Sequence, residues 1–317
     1  FIGNLVTTNA NSGAITVSLA DNAVDNDVTI SANSNAGTDM SITGGAATDT
    51  VTVGAVAGDV IATGTLSSIL VVTGTSAAQT ITGGDGADTI KGTGGGDSLT
   101  GGAGNDVFQF VDSTNLVGTA TLIGGNNSDT IHLTTADVGV ADSDFANVTT
   151  VEILKLTGAS NATLGTNANS ATTDEVQTGD DNTTITGQNS LALTVDATSL
   201  ANGKTLTLAD DGATSNFTVT NLVGDTAQTN LAGTLTVTTA DNSNDNTITV
   251  VTGAAATDVR TSAGAASDTV TVDATALANN VNLTLNGDAG AAAGIISITN
   301  FIGNLVTTNA NSGAITV

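Results

Sequence analysis

Short runs in which an apolar residue alternates with Thr, Ser or Asn recur along nearly the whole chain. Nothing else in the sequence constrains the fold as strongly. AITVSL (14–19), DTVTVG (49–54), DTIHLT (129–134), LALTVD (191–196), TLTVTT (234–239) and IISITN (295–300) are examples. Side chains on a strand point to opposite faces in turn, so a period of two marks strands with one buried face. Gly, Asn and Asp close each run at spacings of roughly 10–12 residues. No helix-period stretch exceeds two turns, SATTDEVQ (170–177) and TSLANGK (198–204) coming nearest. The sequence predicts an all-β chain.

Aromatic content separates the two all-β architectures that fit. Trp and Tyr are absent and only 6 Phe occur among 317 residues. Tandem β-sandwich modules, the alternative, normally bury large aromatics. A parallel β-solenoid can fill a narrow interior with Val, Ile, Leu and Ala, and is the architecture expected here. Coils of roughly 18–25 residues, stacked at ~4.8 Å, would give about 12–17 coils over 300 residues.

Repetition bears on domain organisation. FIGNLVTTNANSGAITV (1–17) returns unchanged at 301–317. Residues 1–300 then read as one full period of a continuous solenoid, and 301–317 as the start of the next identical repeat. Adjoining repeats are the usual source of such identity. A weaker module of about 80 residues lies inside that period. LTVDATSLANGKTLTLADD (193–211) resembles VTVDATALANNVNLTLNGD (270–288), and TVTNLVGDTAQTN (218–230) resembles SITNFIGNLVTTN (297–309). The module phase runs through the boundary at 300, which argues against a domain break there.

The sharpest chemistry lies at 83–109. GGDGADTIK (83–91), GTGGGDSLT (92–100) and GGAGNDVFQ (101–109) follow one another in the pattern G-G-x-G-x-D-x-U-x, with Thr93 the one departure at a Gly position. GTSAAQTIT (74–82) keeps the register but has Gln79 in place of Asp. Six residues must turn sharply with carbonyls inward, which calls for glycine at positive φ. The Asp at the sixth position offers a hard anionic oxygen suited to Ca²⁺, and the apolar eighth residue (Ile90, Leu99, Phe108) should point inward.

This segment, 74–109, resembles the RTX repeats of bacterial proteins exported by type I secretion, which form a calcium-loaded parallel β-roll. The resemblance implies two nonapeptides per coil, so that alternate turns stack. Asp88 and Asp106 would then share an ion with carbonyls of Gly83, Asp85, Gly101 and Ala103. Asp97 would face the Gln79 turn and make a weaker site. The degenerate copies GGNNSDTIH (124–132), GGAATDTVT (44–52) and AGAASDTVT (263–271) lack the middle glycine, so Asp129, Asp49 and Asp268 read as turn residues. FANVTTVEILKLTGA (145–159) is similar to a segment of bacterial surface-layer and RTX-type extracellular proteins. It implies one more solenoid coil and carries no chemistry of its own.

Charge and composition exclude much else. With 30 acidic and 4 basic residues the net charge is −26. Four cations cannot neutralise a phosphate backbone, so neither nucleic acid nor an anionic lipid surface is an expected partner. No cysteine means no disulfide or thiolate chemistry. No apolar run is long enough to insert in a membrane, and residues 1–17 lack the basic and apolar regions of a signal peptide. Catalysis is not expected. His132 is the sole histidine, HExxH and G-x-S-x-G are absent, and Lys91, Lys155, Lys204 and Arg260 are scattered. Glu152 and Glu175 could form a glycosidase pair only by coincidence of folding.

Three functions remain open at this point. One is a self-assembling extracellular fibre or surface layer stabilised by calcium. Another is the stalk of a giant RTX adhesin. The third is ice or glycan binding by Thr ranks (Thr50/Thr52, Thr205/Thr207, Thr236/Thr238, Thr247/Thr249). Copies of the chain itself are the expected partners, end to end or side by side, and a cell-surface polysaccharide is a further candidate. The RTX resemblance places the chain at the bacterial cell surface or outside the cell.

Overall fold

The computed structural model describes residues 5–7, 14–19, 26–30, 39–44, 49–55, 57–63, 69–210, 215–231, 233–239, 247–254, 257–262, 269–279, 281–287, 295–307 and 315–317. The fold is a β-solenoid. Among the described residues every strand pairs in parallel with the strand one coil away, which an antiparallel sandwich would not do. Coil length varies: Val71 pairs with Thr89, 18 residues on, whereas Thr257 pairs with Leu283, 26 residues on. No helix among the described residues is long and apolar enough to cross a membrane.

The chain forms two compact units. The first comprises 1–135, 143–154 and 170–173. One of its sheets starts at Leu5–Thr7 and Asp27–Ile30 and passes through Thr89–Lys91 and Val107–Phe110 to Thr130–Leu133. The other starts at Ile15–Leu19 and runs through Thr80–Thr82, Ser98–Ala103 and Thr121–Asn126 to Val148–Thr149. Each coil gives one strand to each sheet, and the inward residue of each strand stacks on its counterpart. Ile30, Val53, Val72, Ile90, Phe108 and Ile131 make one such column, all buried. Met40, Val60, Ile81, Leu99, Leu122 and Val148 make another. Fully burying one such side chain contributes about 1.5–3 kcal/mol, so a narrow interior needs few aromatics.

The second unit comprises 136–142, 155–169 and 174–317 and repeats the scheme. The internal module read in the sequence reappears here as one turn built twice. Thr198 N–H donates to Asp196 Oδ1 (3.1 Å), and Thr275 N–H to Asp273 Oδ1 (3.0 Å). Asn221 and Asn300, both at φ 55°, send their side-chain amides to those same two carboxylates at 3.4 Å.

The strand runs read in the sequence are strands in the structure. Asp225–Leu231 went unread because its inward positions are polar, Thr226 and Gln228 both being buried. SATTDEVQ ends in a strand, Glu175–Gln177, and TSLANGK is turn.

Candidate calcium site

The nonapeptides stack as the resemblance implied. Thr80 pairs with Ser98 and Thr89 with Val107, each 18 residues apart, so two nonapeptides complete one coil. The turns therefore fall into two columns. One holds the turns ending at Asp88 and Asp106, and the other those ending at Gln79 and Asp97. Ile90, Leu99 and Phe108 point inward and are wholly buried.

In the first column the carboxylates form a ladder. Leu70 N–H donates to Asp88 Oδ1 (2.7 Å), Asp88 N–H to Asp106 Oδ1 (2.8 Å), and Asp106 N–H to Asp129 Oδ1 (2.8 Å). Asp129 N–H then donates to Glu152 Oε2 (2.8 Å). Asp88, Asp106 and Asp129 are at most 1% exposed. Gly84 N–H satisfies the second oxygen of Asp88 at 2.7 Å. Asp106 Oδ2 and Asp129 Oδ2, both buried, have no hydrogen-bond partner, and Asp97 Oδ2 in the other column is in the same state.

Glycine at the first position of each turn provides space. A Cβ on Gly83 would fall onto Gly101 O and Asp88 Oδ2; one on Gly101 would fall onto Asp106 Oδ2 and Gly124 O. Neither glycine has a positive φ, which corrects the sequence rationale at these positions. In the Asp106 turn the left-handed demand falls later, at Gly102 (φ 124°) and Gly104 (φ 107°), whereas Gly84 and Gly86 in the Asp88 turn have no positive φ. The Gly83 and Gly101 notches are thus each bordered by a carboxylate oxygen of their own turn and a carbonyl of the next coil, whereas a Cβ on Gly92 in the other column would meet the Phe110 ring.

The predicted residues divide accordingly. Asp88, Asp106, Gly83 and Gly101 come together along one column. Asp85 is exposed, and Ala103 lies between the turns, its N–H donating to Gly84 O (2.9 Å). Asp97 faces the Gln79 turn as expected, accepting from Gln79 N–H at 3.1 Å. The Gln79 side chain accepts from Thr75 N–H (2.5 Å) and donates through Nε2 to Gly58 O of the neighbouring coil (2.9 Å). Sequence reasoning missed Gly124 O beside Asp106, and Glu152 at the end of the ladder. Asp49 is wholly buried and accepts from Asn26 N–H at 2.8 Å, while Asp268 lies outside the described residues.

Electrostatics mark the ladder as strained for charge. Burial pushes the Asp106 carboxyl up to about 7; the Asp88 N–H opposes that rise, and the Asp88 and Asp129 charges add to it. Burial likewise raises Asp88 to about 6 against hydrogen bonds from Gly84 and Leu70. Asp97 and Asp129 rise to about 6 from the same main cause, burial. A buried carboxylate with an unpaired oxygen is costly unless a cation meets it. Among the described residues no three acidic or histidine side chains cluster, so a cation here would draw on backbone carbonyls as well. Ca²⁺, with six to eight oxygen ligands, suits such a mixed set.

A family model for the RTX calcium-binding nonapeptide repeat matches four copies at residues 73–108. Residues 73–108 are RTX calcium-binding nonapeptide repeats. The four copies are the three complete nonapeptides and the Gln79 copy in register with them. The RTX family binds calcium, and its members are generally secreted by type I secretion. No curated protein and no solved structure matches the chain.

Proposed function

We propose that this chain is a structural repeat of a self-assembling extracellular bacterial fibre or surface layer, folded and stiffened by calcium. The observation that carries the reading is the ladder of buried carboxylates, with an unpartnered oxygen on Asp106, inside the RTX segment. The Asp88–Asp106 column is the principal site in this reading. Gly83, Gly101, Asp85 and Ala103 supply carbonyls, and Asp97 makes a weaker second site. Calcium binds the folded roll and stabilises it by mass action, so export in low calcium and folding in millimolar calcium follow from one equilibrium.

Assembly is supported by sequence. The recurrence of 1–17 at 301–317 supports an array of such periods, in which the last strands of one period pair with the first strands of the next. A net charge of −26 opposes close approach of copies, and a divalent cation relieves that repulsion. The chain is read as non-catalytic, in keeping with RTX repeat proteins, which are generally structural or secreted non-enzymes.

Electron microscopy of the purified chain, in millimolar Ca²⁺ and then with a chelator, tests the proposal. Ordered filaments or sheets that loosen on chelation are expected. Particles that stay single in calcium would transfer the chain to an adhesin stalk, and an unchanged appearance without calcium would remove the switch.

A further inference from the structure

The RTX match stops at residue 108, and segment 124–132 fails the motif at its fourth position, where Asn127 replaces glycine. The structure nevertheless builds that segment as another nonapeptide turn. Gly125 has φ 124°, the same value as Gly102 at the equivalent second position. Asn127 has φ 79°, in the left-handed region that Gly104 occupies at φ 107°. Asn is the side chain that tolerates this region best, so glycine's conformation is kept without glycine. The two turns are also tied together: Ser128 N–H donates to Asn105 Oδ1 (3.2 Å), and Gly104 N–H to Asn127 Oδ1 (3.4 Å).

This coil is longer by a local insertion. Val107 pairs with Thr130, 23 residues on, against 18 within the RTX segment. The five-residue helix Ser113–Val117, capped by Asp112, takes up the difference away from the ladder. The 124–129 turn therefore returns to register. A Cβ on Gly124 would fall onto Thr150 O and Asp129 Oδ2, the same pairing of next-coil carbonyl and own-turn carboxylate found at Gly83 and Gly101. Asp129 is wholly buried, and its Oδ2 has no partner.

We propose that Asp129 Oδ2 and Thr150 O form a further Ca²⁺ site at Gly124, continuing the calcium column one coil beyond the nonapeptides. It rests on the calcium reading of the Asp88–Asp106 column. Glu152 ends the column: its Oε2 accepts from Asp129 N–H, its Oε1 lies 3.0 Å from the Thr172 hydroxyl, which it shares with Ala171 O, and its side chain is only half-buried.

Equilibrium dialysis of the full chain against ⁴⁵Ca²⁺ tests the site. Asp129→Asn keeps an oxygen for the Asp106 N–H and should bind one Ca²⁺ fewer than the wild type. Asn127→Gly restores the motif glycine and should bind the full number at equal or tighter affinity. An unchanged count in Asp129→Asn would overturn this site while leaving the RTX column standing, whereas no Ca²⁺ on the wild type would sink both. Should Asp129→Asn fail to fold, a lanthanide-soaked crystal of the wild type decides. An anomalous peak beside Asp129 supports the site, and peaks confined to Asp88 and Gly101 overturn it.

Discussion

The two turn columns of the RTX segment share a motif and a backbone, yet they handle the same electrostatic problem differently. In the Asp88–Asp106 column the turns present carboxylates in succession, and the oxygen left over on Asp106 is buried without a donor. In the other column Gln79 accepts from Thr75 N–H with its oxygen and reaches Gly58 O with its nitrogen. That amide supplies a proton donor to a neighbouring-coil carbonyl, where the Asp side chains of the first column, as carboxylates, only accept. The Ser113–Val117 helix then closes the second column, Asn115 Nδ2 donating to Thr93 O at 2.9 Å. The first column leaves two buried carboxylate oxygens without a partner, Asp106 Oδ2 and Asp129 Oδ2, whereas the second, with an amide in place of one carboxylate, leaves one, Asp97 Oδ2.

The comparison breaks most severely if the interior shared by both columns is removed. Phe108 is wholly buried, and Phe108→Ala should cost about 3–5 kcal/mol, measured by denaturant unfolding in calcium. Chelation comes next. A site held at 100 times its Kd contributes about 2.7 kcal/mol, so removing calcium should lower unfolding stability by roughly that amount per occupied site. Asp106→Asn should abolish most of this calcium-dependent increment, because it removes the charge between Asp88 and Asp129.

Gln79→Asp sharpens the contrast. It gives the second column a carboxylate opposite Asp97 while removing the amide's bond to Gly58 O. Without calcium the variant should lose about 1–3 kcal/mol, and with calcium it should bind an additional ion, read by dialysis. A variant that gains no ion would show that carboxylate count does not distinguish the columns.

Acidity acts on the columns with a definite sign. The folded-state pKa values of Asp88, Asp97, Asp106 and Asp129, about 6 to 7, lie above the ordinary carboxylate value. Their contribution to the metal-free fold is therefore fully present below pH ~4 and lost as pH rises through 6 to 7. Calcium must displace those protons, so its apparent affinity should fall by at least about tenfold from pH 8 to pH 5.5. Melting temperature should thus rise on acidification in chelator and fall in limiting calcium. The smallest effect is expected of Asp85→Asn, whose side chain is exposed, at about 0.5 kcal/mol or less.

Much of this was legible in the sequence where a residue's role is set by its own repeat. The inward Ile90, Leu99 and Phe108 follow from a nine-residue period, and the parallel stacking of alternate turns and the Asp97–Gln79 juxtaposition from the RTX resemblance that those repeats carry. What escaped depends on the neighbouring coil. Gly124 O borders Asp106 only because a five-residue helix absorbs the longer coil between them. Asn127 replaces a motif glycine because its backbone, not its side chain, meets the requirement. Glu152 continues the carboxylate ladder from a segment that reads as a plain solenoid coil. Polar inward residues such as Thr226 and Gln228 hide strands from a hydrophobic-period reading.

Residue-resolved hydrogen exchange tests the central claim most directly. The amides of Leu70, Asp88 and Asp106 donate to the ladder carboxylates, and that of Thr75 donates to Gln79. Millimolar Ca²⁺ should slow exchange of the first three by at least about tenfold relative to chelator while changing Thr75 by much less. Equal slowing in both columns, or none in either, would contradict a calcium column seated on Asp88 and Asp106.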